Sequence, residues 1–91
     1  GRFGVIGFTA ASEARHRQVL RAMGLESRLA AWMPLDLPMD VLTDPFAPQP
    51  RIAATARALR EGGAEAIILG CAGLAGHAAL VAAESGLPVI E

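Results

Sequence analysis

Four short apolar runs separated by stretches of helical period restrict the fold of this chain more than any other feature. Phe3-Gly-Val-Ile-Gly-Phe8 is apolar and β-branched at its centre, and Arg28 to Met33 (ended by Pro34), Ala64 to Leu69 and Leu87 to Ile90 are of similar length. The first is apolar throughout and suits a strand buried on both faces of a parallel sheet, while Glu65 interrupts the third. Between the first two runs, His16, Val19, Leu20 and Met23 recur at helical spacing. Ser12 stands as the N-cap and Gly24 where a C′ glycine belongs. A second helix is expected from near Pro50, with Ile52, Ala56 and Leu59 on one face and Gly62-Gly63 as its stop. A third runs from His77 to Ser85 and closes at Gly86. Parallel strands need crossover connections, and crossover helices cover the faces of the sheet. The pattern predicts a single α/β lobe over residues 1–91, doubly wound and flavodoxin-like, with a four-stranded parallel sheet in the order 2-1-3-4.

One stretch departs from this rhythm. Prolines at 34, 38, 45, 48 and 50 mark a segment too long and too proline-rich for a routine connection, and such segments carry function or cover a neighbour. Asp36, Asp40 and Asp44 are spaced like one face of a helix and would suggest metal ligands, but Pro38 and Pro45 break that helix. Three loop aspartates supply too few convergent oxygens for a hard cation, so turn and solvation roles are expected and no metal site is assigned. Trp32 is expected in the core or at a lobe contact.

Composition removes several classes of function. The net charge is -1, all eight basic residues are arginine, and they are scattered instead of forming a stripe, which argues against nucleic acid as a partner. Without lysine a Walker A loop is impossible, the glycines at 4 and 7 do not make G-x-G-x-x-G, and no G-x-S-x-G elbow surrounds Ser27 or Ser85. No apolar run approaches the roughly 20 residues of a membrane span. No secretory leader pattern opens the sequence and its single cysteine cannot form an internal disulfide, so a reducing cytoplasm is the expected setting. A hydrophobic fraction of 53% is high for 91 residues. A domain of this size buries only about 60 to 70% of its unfolded surface. Apolar surface is left over, and a covering partner is expected: a missing lobe or a second copy of the chain, in a homo-oligomer.

In an open parallel sheet, ligands bind beyond the carboxyl ends of the strands near the switch in strand order. Two loops stand there, Gly7 to Ser12 after the first strand and Gly70 to Leu74 after the third, and the order 2-1-3-4 makes them neighbours. Cys71 ends a strand and precedes a helix, where unpaired N–H groups and the local dipole favour a thiolate able to act as a base. Gly70 and Gly73 would let a substrate approach the backbone, and the N–H groups of Ala72 and Gly73 could hold a developing enolate oxygen. The competing reading makes Cys71 a small buried hydrophobe.

Ala64-Glu-Ala-Ile-Ile-Leu-Gly-Cys-Ala-Gly-Leu74, followed by Gly86-Leu-Pro-Val-Ile-Glu91, resembles the second cysteine motif of the Asp/Glu/hydantoin racemases. The likeness is greatest to the hydantoin and allantoin branch, which reads LGCAGM and then GVPVID. Arg2-Phe-Gly-Val-Ile6 resembles the strand that opens the second lobe of that family. The resemblance implies a cofactor-independent racemase in which two cysteines face each other across the substrate α-carbon. One removes the proton and the other returns one on the opposite face. Only the second cysteine maps here, onto Cys71, and the first lobe is absent. Glutamate racemases place Thr-His after this cysteine where Ala72-Gly73 stands, and Phe8 occupies a position where the hydantoin branch often has threonine.

The implied substrate is a small molecule with an acidic hydrogen beside a carbonyl, a 5-substituted hydantoin or allantoin first and an amino acid such as aspartate second. Cys71 is the candidate acid/base, with Gly70, Ala72 and Gly73 around the reacting atoms and Phe8 with Thr9 as the second wall. A non-catalytic α/β module, as a truncated product or degenerate paralogue, is the alternative. Thr9 and Ser12 could bind a carboxylate or imide oxygen or simply cap a helix. His16 is expected to be structural, and His77 to face solvent from a first helical turn. The face carrying the two strand-end loops is the expected place of association.

Overall fold

The computed structural model describes residues 1–91. Strands β1 (Phe3–Gly7), β2 (Leu29–Pro34), β3 (Ala66–Leu69) and β4 (Val89–Ile90) form one sheet in the order β2-β1-β3-β4 with every pairing parallel, as the sequence predicts. Four helices connect them: α1 (Glu13–Ala22), α2 (Met39–Leu42), α3 (Gln49–Glu61) and α4 (Ala78–Ser85).

The two faces of the sheet are covered unequally. A right-handed crossover places a connection that moves one way along the sheet on one face and a connection that moves the other way on the opposite face. The step from β1 to β2 runs against the other two, so α1 is alone while α3 and α4 lie side by side. Ile6, Ile67 and Leu69 meet Ile52, Ala56 and Leu59 of α3 and Val81 of α4 in one buried cluster. The register puts Val5, Trp32, Ile68 and Ile90 on the other side, where α1 buries only Leu20. Val19, Met23 and Ile90 are more than half exposed there. Hollows of about 170 and 330 Å³ open over Val5, Ile68 and Ile90. Part of the apolar excess of the composition is therefore exposed beside α1. Of the expected stripe His16, Val19, Leu20 and Met23, three members lack full burial because no second helix closes over them.

Local rules explain the boundaries. After α1, Gly24 takes φ 73° and the N–H groups of Gly24 and Leu25 donate to the carbonyls of Arg21 and Leu20 at 3.0 and 2.8 Å. This is a Schellman closure. The same closure at Gly63 commits the Ala64 N–H to the Leu59 carbonyl, so β3 starts at Ala66 and not at Ala64. Pro88 has no N–H to offer the ladder, and β4 shortens to Val89–Ile90. Ser12 does not cap with its hydroxyl: residues 10–12 already form a 3₁₀ turn leading into α1, and Ser12 itself has helical backbone angles.

The proline-rich segment contains a helical turn, α2, that the sequence reading leaves out. Pro38 starts it with φ −60°, and the chain leaves it before Pro45. Asp44 then turns the chain, its Oδ1 accepting from the N–H groups of Phe46 and Ala47 at 2.8 Å each, and those two bonds hold its carboxyl below the usual range. Asp36 sits in the left-handed region at φ 53°, and its Oδ1 accepts from the Ala10 N–H at 3.3 Å. This ties the loop after β2 to the loop after β1.

Gly7 shows how closely β1 and β2 approach. A Cβ at Gly7 would overlap the ring of Trp32, which is buried and held by its Nε1–H donating to His16 Nδ1 at 3.0 Å. Gly7→Ala is expected to destabilise the fold by about 1–3 kcal/mol, the range for overpacking a well-filled site. A urea midpoint that falls at constant m-value would show it. An unchanged midpoint would mean that the indole can move aside.

Candidate active site

Because β1 and β3 are neighbours with Ile6 opposite Leu69, the chain leaves both strands at the same edge. The Gly70 N–H donates to the Ile6 carbonyl at 2.8 Å, which carries the pairing one residue past β3. Cys71 follows in extended geometry, φ −139° and ψ 132°, as the N-cap of a 3₁₀ turn over Ala72–His77. That turn replaces the open loop expected at 70–76, and α4 begins one residue later than predicted. Its shape follows from its composition: small residues allow tight coiling, while Leu74 is fully buried and its N–H donates to the Cys71 carbonyl at 3.0 Å. The N–H groups of Cys71, Ala72 and Gly73 meet no backbone carbonyl. Three successive donors at a strand tip form a setting suited to an anionic oxygen.

The Cys71 thiol is free and half-buried, and it lines an open cleft of about 270 Å³ together with Leu69, Gly70, Ala72, Ala75 and Glu91. Of the six candidate site residues, Gly70, Cys71 and Ala72 share this cleft. Gly73 lies on another side of the thiol, where an added Cβ would be 3.7 Å from Cys71 Sγ, 3.2 Å from Leu42 Cδ2 and 3.7 Å from Met39 Sδ. Phe8 leaves the cleft to pack against the core cluster, and Thr9 stands at the neighbouring strand tip as the N-cap of the turn Ala10–Ser12. Neither borders the 270 Å³ space. Gly70 also has a packing reason, since a Cβ there would come within 2.9 Å of His16 Cε1 and 3.2 Å of Val5 Cγ1. Ala75 and Glu91 are site residues that sequence reasoning misses. The pairing of Ile68 with Ile90 is the signal for the second, because it brings the next residues, Leu69 and Glu91, side by side.

The family model described as Asp/Glu/Hydantoin racemase matches residues 1–91, the whole chain. The chain belongs to the Asp/Glu/hydantoin racemase family. Two solved structures extend the finding to three dimensions. Allantoin racemase from Klebsiella pneumoniae is similar at 33% identity with a TM-score of 0.81, over 99% of this chain and 38% of that one. Allantoin racemase from Pseudomonas fluorescens is similar at 28% identity with a TM-score of 0.84, over 98% and 39%. The chain thus spans less than two-fifths of either relative. No curated protein sequence matches it.

In this racemase-family chain both histidines are committed to the fold. His16 Nδ1 accepts from an indole N–H, a pure donor, so Nδ1 carries no proton. His77 differs from the solvent-facing residue expected from its first-turn position. It is buried, and its Nε2 lies 3.1 Å from the carbonyl oxygen of Leu42, an acceptor only, so Nε2 carries the proton and donates it to that bond. The physical reason is α2, which covers the end of the 3₁₀ turn from a point 35 residues away in sequence.

Proposed function

We propose that this chain is the Cys71-bearing lobe of a cofactor-independent racemase acting on hydantoin- or allantoin-type substrates. The observation that carries the reading is the place of Cys71: a half-buried thiol in an open cleft beside free backbone N–H groups, in a lobe whose solved relatives are allantoin racemases. The Cys71 thiolate takes the proton from a carbon beside a carbonyl; the C–H electron pair forms the C=C bond and the carbonyl π pair moves onto oxygen, which gives an enolate. The N–H groups of Ala72 and Gly73 hold the enolate oxygen. A second thiol, on the facing lobe or on a second copy of the chain, delivers a proton to the opposite face of that carbon. The electron pair returns from oxygen, the carbonyl re-forms and the configuration is inverted. Cys71 ends the cycle protonated and is ready for the reverse direction. The enzyme is expected to work in the cytoplasm as a homo-oligomer.

The charge that this chain lends to the cleft supports that substrate class. Glu91 is the one charged residue that it places there. A carboxylate favours the N–H groups of a neutral ureide ring and repels the carboxylate of an amino acid, which places aspartate and glutamate second. α-Hydrogen exchange in deuterium oxide tests the reading, using the chain joined to its first lobe with allantoin, 5-substituted hydantoins, aspartate and glutamate. Exchange of the ring ureides is expected. Exchange of the amino acids alone would move the lobe to an amino-acid racemase, and exchange of none would favour a non-catalytic module.

A further inference from the structure

A four-residue helix cannot stand by itself in water, because one turn of hydrogen bonds does not offset the cost of nucleation. α2 is such a turn, and it is held in place at two points. Its Leu42 side chain is fully buried in the core cluster, and the Leu42 carbonyl, one of the terminal acceptors a helix leaves without an internal partner, takes the Nε2–H of His77 at 3.1 Å. The two anchors fix α2 against the turn that starts at Cys71. The missing side chain of Gly73 makes the approach possible, since a Cβ there would press on Leu42 Cδ2 at 3.2 Å. Met39, the first residue of α2, is 48% exposed, and its sulfur is as close to that Cβ position as Cys71 Sγ is, 3.7 Å in each case. The two 3.7 Å distances put this unbranched, half-exposed thioether within about 7.4 Å of the thiol, on the Gly73 side of the site.

We propose that α2 is a specificity wall of the Cys71 site. Met39 contacts the substituent on the reacting carbon, and His77 is the positioning residue that holds α2 in place through Leu42. This inference rests on the reading of Cys71 as a proton carrier. Methionine adapts its shape to apolar surface, so the wall accepts substituents of varied outline and favours apolar ones. His77 touches neither substrate nor thiol in this arrangement. It acts through the Leu42 carbonyl, which is left without its partner when the donor is lost.

The test uses the chain joined to its first lobe, with 5-methylhydantoin and 5-benzylhydantoin as paired substrates. Met39→Ala is expected to lower kcat/KM for the benzyl compound about tenfold, the low end for losing apolar contact in a pocket, and to leave the methyl compound nearly unchanged. The loss should fall mainly on KM. His77→Phe, which fills the space but cannot donate, should reproduce that selectivity change, and His77→Gln, which keeps an N–H donor, should restore it. A direct reading of contact comes from the Cys71→Ala protein, in which saturating 5-benzylhydantoin should slow peroxide oxidation of Met39. Equal loss of both substrates in the Met39 and His77 variants, or Met39 oxidation unaffected by the ligand, would overturn the wall. Racemisation persisting in Cys71→Ala would instead overturn the proton-carrier reading, while Met39 protection would still report on α2.

Discussion

Cys71→Ala, in the chain joined to its first lobe, is expected to abolish racemisation while leaving the fold intact. The change removes the proposed proton carrier and little volume, and it leaves the backbone N–H groups at 71–73 in place. General acid–base transfer contributes about 10²–10⁴-fold, and because inversion needs both a donor and an acceptor, losing one of them should cost at least that factor. Cys71→Ser should be severely impaired too, since its hydroxyl is far less acidic than a thiol. Thermal unfolding of both variants should stay near that of the parent, because Cys71 is half-buried at the margin of the core cluster and is not at its centre. Near-normal turnover in either variant would remove Cys71 from the mechanism.

The second large effect concerns the 91 residues alone, which are expected to racemise nothing. Inverting a carbon requires proton carriers on opposite faces, and Cys71 at one strand tip reaches only one. The histidines do not supply the other. His77 is buried with its Nε2–H bound to Leu42, and His16 takes the Trp32 N–H on the α1 side of the sheet. The isolated chain should also associate. Its large exposed apolar side chains fall in two groups: Val19, Met23 and Ile90 beside α1, and Met39 and Phe46 in the proline-rich segment. The strand-end loops singled out from sequence contribute none of these five. Sedimentation should show concentration-dependent self-association, and polarimetry beside the two-lobed protein should show no rotation change. A stable monomer with full turnover would require a second base within these residues.

The architecture was legible because it depends on periodicity and handedness, which are local properties of the sequence. Apolar runs of strand length, helical spacing between them and closing glycines at 24, 63 and 86 mark the alternation that a doubly wound parallel sheet requires. The place of Cys71 just after a strand was legible for the same reason, since strand ends and small-residue turns are visible in one dimension. What stayed hidden depends on distant contacts. Pro38 and Pro45 exclude a continuous helix over Asp36, Asp40 and Asp44 but not the single turn, α2, that fits between them. The burial of His77 follows from α2 and could not be seen without it. The 3₁₀ turn before α1 has no periodic signature, so the sequence does not reveal that Ser12 enters the helix without capping it. Met23 sits on the helical stripe, yet it is exposed because nothing lies over the α1 side at that point. The placement of Gly73 against Leu42 belongs to the same group, since a glycine does not reveal which neighbour occupies its missing side chain.

The central claim, that Cys71 serves one face of the reacting carbon and a second thiol the other, is tested most directly by following deuterium. Each enantiomer of a slowly racemising 5-substituted hydantoin is incubated in deuterium oxide with the two-lobed Cys71→Ala protein, and label and configuration are measured together. The remaining thiol can take a proton from its own face and return a deuteron to that face, so one enantiomer should exchange with retention. The other should neither exchange nor invert. Exchange of both enantiomers, or inversion of either at the parent rate, would contradict the account.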